Sequence, residues 1–455
     1  MSHLLPLSGP DADRLVFVLI ALATGGLGLL LSRRRPSALA VVYVGAMFFL
    51  PIWTGVTIGV FLPPQILAGL LVLAVALPRA RALGVRTSWV DLLVAAFVIA
   101  SLAPLLAGAA PPGTLVFIVL QYLGAYLVGR LLPLLVGPDY FLRVLVVAVS
   151  VLAALTLVEH FTGTNVFQSF PGSPSVHAQW NDIQIRGGVA RAEGAFGHSI
   201  ALGATLAMCI PLVLSAPVPS WLRIGSAVLA ASGVVVTFSR IGLITAVLGI
   251  VMSVVAAGDL TRRARFLLAG SITIVALVAV PLLSRVFVAA GDEASNSAAY
   301  RADLLSLVGD IDILGLSSAF DRTPTGQVRF DDFGSIDSAL ILQGLSYGWT
   351  ALAITLLLLA IAAAAVLRRR ASAGTIAIVA QIPALATVAL ITQYATMLWF
   401  VAGLAVWGQL ALARPGVSTA RTGFPSLGES ANQQLRGGIA WPGRVMSGPV
   451  SGERV

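Results

Sequence analysis

The sequence predicts an all-α fold, a polytopic transmembrane helical bundle of 12 or 13 spans with a large external loop. Three observations predict it. Of 455 residues, 58% are hydrophobic and 10% charged, against about 25% charged in an ordinary soluble domain. A chain this apolar cannot cover its own surface in water. Apolar runs recur at close to the ~20 residues that a helix needs to cross hydrocarbon. The runs are continuous, whereas barrel strands alternate apolar and polar residues. Helices and closed barrels alone satisfy every backbone group in lipid, so the pattern selects helices.

In chain order, apolar runs cover 15–31, 38–53, 56–77, 89–107, 114–129, 140–158, 199–215, 222–238, 241–257, 266–284, 337–366, 374–391 and 394–412. Pro51 and the Pro63-Pro64 pair interrupt 38–77, which reads either as two spans or as one span plus a re-entrant piece. The bundle, 1–412, includes two long external segments, 159–198 and 285–336. The tail, 413–455, is rich in Gly, Ser, Pro and Arg and predicts a disordered cytoplasmic segment. The opening residues carry two aspartates and lack a basic n-region, so the first apolar run is expected to stay as a span.

Arginine sets the orientation, because short cytoplasmic loops accumulate positive charge. If the spans alternate, Arg33–Arg35, Arg79, Arg81, Arg86, Arg130, Arg143, Arg223, Arg262, Arg263, Arg265 and Arg368–Arg370 fall on one side with the tail. In this reading Arg130 and Arg143 flank a turn over 129–140. The external side keeps Arg14, Arg186, Arg191, Arg240, Arg285, Arg301, Arg322 and Arg329.

Residue types also exclude chemistries. The chain has one cysteine, Cys209, inside an apolar run, so disulfides and thiolate metal clusters are out. All basic residues are arginine. A P-loop lysine, a Schiff base and a lysine nucleophile are therefore excluded.

Four external stretches carry candidate chemistry. The first is VARAEGAFGHSIALG, 189–203, where Arg191, Glu193 and His198 stand among glycines that allow close backbone approach to a ligand. An arginine here can fork onto phosphate oxygens; alternatively, an Arg191–Glu193 pair only fixes the loop. The second is Thr237-Phe238-Ser239-Arg240, a tight helical hairpin that sets Arg240 beside hydrocarbon, unless it snorkels to headgroups. In the third, 299–316, Arg301 sits on a short amphipathic helix predicted near 297–309. The fourth is SIDSALILQGLSYG, 335–348. Its Asp337 is a general base, an arginine partner, or an N-cap. Convergence of these stretches would form a cationic, partly dehydrated pocket suited to a lipid pyrophosphate. Ionisable residues cluster at span ends, and mid-span polar residues such as Gln121 and Gln381 are uncharged, which argues against ion-coupled transport.

The order of these elements resembles the O-antigen ligase and Wzy-type polysaccharide polymerase superfamily. The resembling pieces are Arg191-Ala-Glu-Gly194-Ala-Phe196-Gly-His198, Ser239-Arg240-Ile-Gly242, Arg301 through Gly315-Leu316, and Asp337-Ser338 opening a Gly-containing run. The resemblance covers about 185–350. It implies a GT-C-like glycosyltransferase at the outer face of the bacterial cytoplasmic membrane, using glycan on undecaprenyl pyrophosphate. It implies catalytic roles for Asp337 or Glu193 and substrate binding by Arg191, Arg240, Arg301 and His198. No metal, cofactor or nucleic acid is implied, and a chain-length regulator is a possible partner. Ligases of the family carry histidine where this chain has Asp337, and asparagine where it has Ser338. That departure favours a polymerase over a ligase that transfers a finished glycan.

Overall fold

The computed structural model describes residues 34–110, 113–256, 300, 303–322 and 328–413, with scattered positions between 266 and 288. The expected span 15–31, most of 266–284 and nearly all of the tail lie outside the described residues. What is described is mostly helical. Among the described residues, five helices are long and apolar enough to cross a membrane: Trp89–Leu106, Gly113–Val136, Pro138–Thr162, Ala339–Leu367 and Gln393–Leu412. Shorter apolar helices include Ala38–Phe49, Ser199–Leu214, Ser220–Val236 and Arg240–Val255. Among the described residues, three two-stranded antiparallel hairpins decorate the connections.

The core is centred on Ser199–Leu214, which is buried along nearly its whole length. Its Gly203, Ala204, Thr205 and Ala207 face neighbours that must come close, and small residues permit that approach. Helices Pro138–Thr162, Ser220–Val236, Arg240–Ala256, Ala373–Ala380 and Gln393–Leu412 pack around it. A second tight crossing joins Ala125–Val136 to Gln393–Leu412. There a Cβ on Gly129 would lie 2.0 Å from the Phe400 carbonyl oxygen, and one on Gly403 2.1 Å from that of Tyr126.

Three expectations need correction. The run 56–77 is not one helix. It opens as a β-hairpin, Val56–Ile58 against Val60–Leu62, and becomes helical at Pro64, where proline suits a first helical turn. The turn between Arg130 and Arg143 does not extend over 129–140 but is confined to Gly137. Helix Ala125–Val136 runs on to Gly137, and Pro138 starts the next helix at once. Arg130 is buried, and its Nε and Nη2 donate to the two Asp91 carboxylate oxygens at 2.9 and 3.0 Å. That pairing is what tolerates a cation inside the packing. Asp91 also closes a capping box with Ser88 at the start of Trp89–Ser101. Finally, the amphipathic helix near 297–309 is, where described, a 3-10 helix over Leu304–Asp310 that buries Leu304 and Leu307.

Candidate functional site

Helix Ser220–Val236 ends at Thr237, leaving carbonyls without helical partners at the negative end of its dipole. Two arginines from a short hairpin fill that end. Strands Ile185–Arg186 and Val189–Ala190 pair across Gly187-Gly188. Arg191 Nε then donates to the Thr237 carbonyl at 2.9 Å, and Arg186 Nη1 to the Phe238 carbonyl at 3.3 Å. Phe238 is buried with φ 49°, so the chain turns sharply there. Ser239 Oγ accepts the Gly242 N–H at 3.1 Å and starts helix Arg240–Ala256. Arg240 itself is exposed. Arg186, Arg191 and Arg240 thus gather on one turn.

Gln184 ties this turn to the Glu193 segment. Its backbone carbonyl accepts from Arg191 N–H at 2.9 Å. Its side-chain oxygen accepts from Arg191 Nη1 at 3.2 Å and from Ser199 Oγ at 2.8 Å. Its N–H donates to Glu193 Oε1 at 3.0 Å. Glu193 is buried. Burial pushes its carboxyl up to about 7; the Gln184 N–H and Arg191 oppose the shift, while Glu159 and Asp182 add to it.

The glycines of 189–203 do not open the backbone to a ligand. The Glu159 carboxylate takes the N–H groups of Glu193 and Gly194, at 3.0 and 2.8 Å. Gly197 has φ +60° and lies against aromatic neighbours: a Cβ there would be 2.4 Å from the Trp180 carbonyl oxygen and 2.9 Å from the Trp53 ring. His198 is an N-cap. Its Nδ1 accepts the Ile200 N–H at 3.2 Å, which requires an unprotonated nitrogen. Burial first, and then Arg191, hold it down to about 3. At neutral pH His198 is an uncharged cap and not a cation for phosphate.

Asp337 stands in a different set of contacts. Ser335 Oγ donates to its Oδ1 at 3.4 Å, and the Tyr300 hydroxyl donates to the Ser335 carbonyl. Burial, and then the Asp337 charge, raise the Tyr300 phenol. The N-cap of the following helix is Ser338, whose Oγ accepts from Ile341 N–H at 3.3 Å. Asp337 is therefore half-buried without the capping role. No hydrogen bond among the described residues links it to Arg191, Glu193 or His198. Arg301 lies outside the described residues. Arg186, Gln184 and Glu159 were not candidates in the sequence; Gly187-Gly188 beside Arg186 was the only local signal of a tight turn.

A cavity of about 440 Å³ opens among helices Trp89–Ser101, Ala125–Val136, Ala339–Leu367, Ala373–Ala380 and Gln393–Leu412. Trp89, Tyr122, Gln343, Tyr347, Leu358 and Val406 are among its lining, and no Asp, Glu, Arg or His lines it among the described residues. Ala339, two residues beyond Asp337, is among its lining; Asp337 itself is not.

No protein-family model matches the chain, and neither a curated protein nor a solved structure matches it.

Proposed function

We propose that this chain is a polytopic glycosyltransferase of the bacterial cytoplasmic membrane, of 12 or 13 spans and GT-C-like, that polymerises undecaprenyl-pyrophosphate-linked glycan repeat units at the outer face. The gathering of Arg186, Arg191 and Arg240 on the Thr237–Arg240 turn carries the reading. A pyrophosphate leaving group develops negative charge as its bond to the sugar breaks, and fixed guanidinium groups stabilise that charge. Arg191 is engaged by Thr237 and Gln184, so its part is to hold the turn and supply positive potential. Exposed Arg240 is the arginine best suited to direct contact.

In the transfer, the acceptor hydroxyl oxygen bonds to the donor's anomeric carbon. The carbon–pyrophosphate bond breaks, and its electron pair leaves with the lipid pyrophosphate. The hydroxyl proton passes to a carboxylate. Glu193, whose carboxyl is pushed up to about 7, has the affinity such a base requires; Asp337, two residues before the cavity-lining Ala339, is the alternative. The cavity's apolar lining suits a prenyl chain. Its lack of charged side chains gives no support to an ion-coupled transporter.

The test is an assay of purified protein with a lipid-linked repeat unit. Arg240→Ala is expected to leave the single unit unconsumed and to remove long polymer, with Arg240→Lys rescuing poorly because lysine cannot fork. A normal chain-length profile in Arg240→Ala, Arg191→Ala and Arg186→Ala alike would overturn the reading.

A further inference from the structure

The run Ala339–Leu367 is two helices joined end to end. At Gly348 the backbone takes φ 88° and ψ 171°, outside the range open to L side chains. A Cβ there would also lie 2.7 Å from Leu314 Cα. Such a break strands carbonyls on one side and N–H groups on the other. Chain 312–317 supplies partners to both. Gly315 N–H donates to Tyr347 O at 3.2 Å, and Ser317 N–H to Leu345 O at 2.8 Å. In return, Trp349 N–H donates to Asp312 O at 2.8 Å and Thr350 N–H to Ile313 O at 3.0 Å. The Thr350 hydroxyl donates to the same Ile313 carbonyl at 2.8 Å. The external loop is therefore fixed in height against the first turn of the second helix.

That second helix, from Trp349 to Leu367, is about 28 Å long at 1.5 Å per residue. Hydrocarbon is ~30 Å thick. Arg368, Arg369 and Arg370 follow at one end, where a polar boundary belongs. Trp349, 39% exposed, stands at the other end, where interfacial aromatics collect. Ile313 is hydrogen-bonded to that same level and Leu314 lies against Gly348, and the protein leaves them 80% and 54% exposed. The adjacent carboxylate, Asp312, is exposed, and its Oδ2 accepts the Ser318 N–H at 3.1 Å. Leu356 and Leu357 continue an exposed apolar surface down the helix.

We propose that the Ile313–Leu314 turn inserts its side chains into the bilayer at the Trp349 end of the helix, anchoring the external loop to lipid. This rests on reading the chain as membrane-spanning. The occupant is the lipid of one leaflet, because the patch adjoins a helix whose own length and ends match hydrocarbon.

The experiment uses the full chain in lipid nanodiscs with single spin labels at I313C and L314C. L357C serves as the lipid reference and D332C, an exposed loop position, as the water reference. Cys209 is fully buried and stays in place. Collision rates with oxygen, which partitions into lipid, are compared with those of a water-soluble nickel chelate. The oxygen-to-nickel ratio at both 313 and 314 is expected to match L357C and to exceed D332C several-fold. A ratio near that of D332C overturns the proposal. So does shielding from both reagents, which would mean that protein covers the turn. If L357C itself reads as water-exposed, the membrane reading falls and takes the proposal with it.

Discussion

The Glu159 carboxylate grips the backbone of Gly194, accepting its N–H at 2.8 Å while its other oxygen accepts that of Glu193 at 3.0 Å. Glu159 lies one turn from the end of helix Pro138–Thr162, so a helix terminus positions the whole segment that carries Arg191, Glu193 and His198. The Asn165 amide adds a 3.0 Å bond to the Gly194 carbonyl. Glu159→Ala leaves two buried N–H groups without acceptors, at about 1–3 kcal/mol each. The expected result is a clearly lowered unfolding temperature in detergent, together with faster proteolysis within 181–198. An unchanged protease pattern in Glu159→Ala would show that the segment is held by other contacts.

Stability should respond to pH through Glu193 and His198 with opposite signs. Glu193 has a raised folded value, about 7. Its contribution is fully present below its unfolded value, roughly 4.3, and is lost as pH rises through 7. Glu193→Gln keeps an acceptor for the Gln184 N–H, so the variant should gain stability relative to the parent between pH 5 and 8. His198 has a depressed folded value, about 3. Its contribution is present above its unfolded value, roughly 6.5, and is lost as pH falls toward 3. His198→Asn, which can still cap, should flatten the acid side of the profile. Thermal unfolding scanned from pH 4 to 8 separates the two. Parallel profiles for the parent and Glu193→Gln would remove the pH-sensing role from Glu193.

How much of this was legible in the sequence divides by range. The apolar runs were visible because a helix in lipid needs unbroken apolar length, and helices Pro138–Thr162 and Gln393–Leu412 fall on runs read directly from composition. Arg191 and Arg240 could be singled out because a cation beside an apolar run is rare. Their relation through Thr237 could not, since a carbonyl acceptor leaves no mark in side-chain pattern. Gln184 and Gln393 were equally silent. Gln393 Nε2 donates to the Leu50 and Ala195 carbonyls at 3.2 and 2.9 Å, joining segments far apart in sequence. The π-helix over Val116–Gly124 was hidden for another reason: its residues are as apolar as any α-helical span, and a wider turn changes hydrogen-bond register rather than residue type.

The Asp91–Arg130 pair should show the asymmetry of buried ion pairs. Both side chains are largely enclosed, and Tyr126 and the Arg86 carbonyl complete the set. Arg130→Met alone strands the Asp91 carboxylate and should destabilise by about 3–5 kcal/mol. Asp91→Leu with Arg130→Met removes both charges, and part of the loss should return. A double-mutant cycle in chemical unfolding measures the difference. Strict additivity of the two single losses would mean that the pair contributes nothing as a pair.

The strictest test of how the 312–317 loop is attached is Gly348→Ala. The φ of 88° with ψ 171° belongs to a region used almost only by glycine, at a strain of order 1–3 kcal/mol for other residues. The added Cβ would also meet Leu314 Cα at 2.7 Å and two backbone nitrogens at 2.9 Å. Relief requires either that the helix straighten, which breaks the bonds from Trp349 and Thr350 to the loop, or that the loop lift away. Both release 312–317, so Gly348→Ala should expose that segment to protease and lower the unfolding temperature. Gly309→Ala, in the same loop but with open space around its Cβ position, is the matched control and should change neither. Equal behaviour of the two variants would mean that the loop's seat on the broken helix is not what holds it.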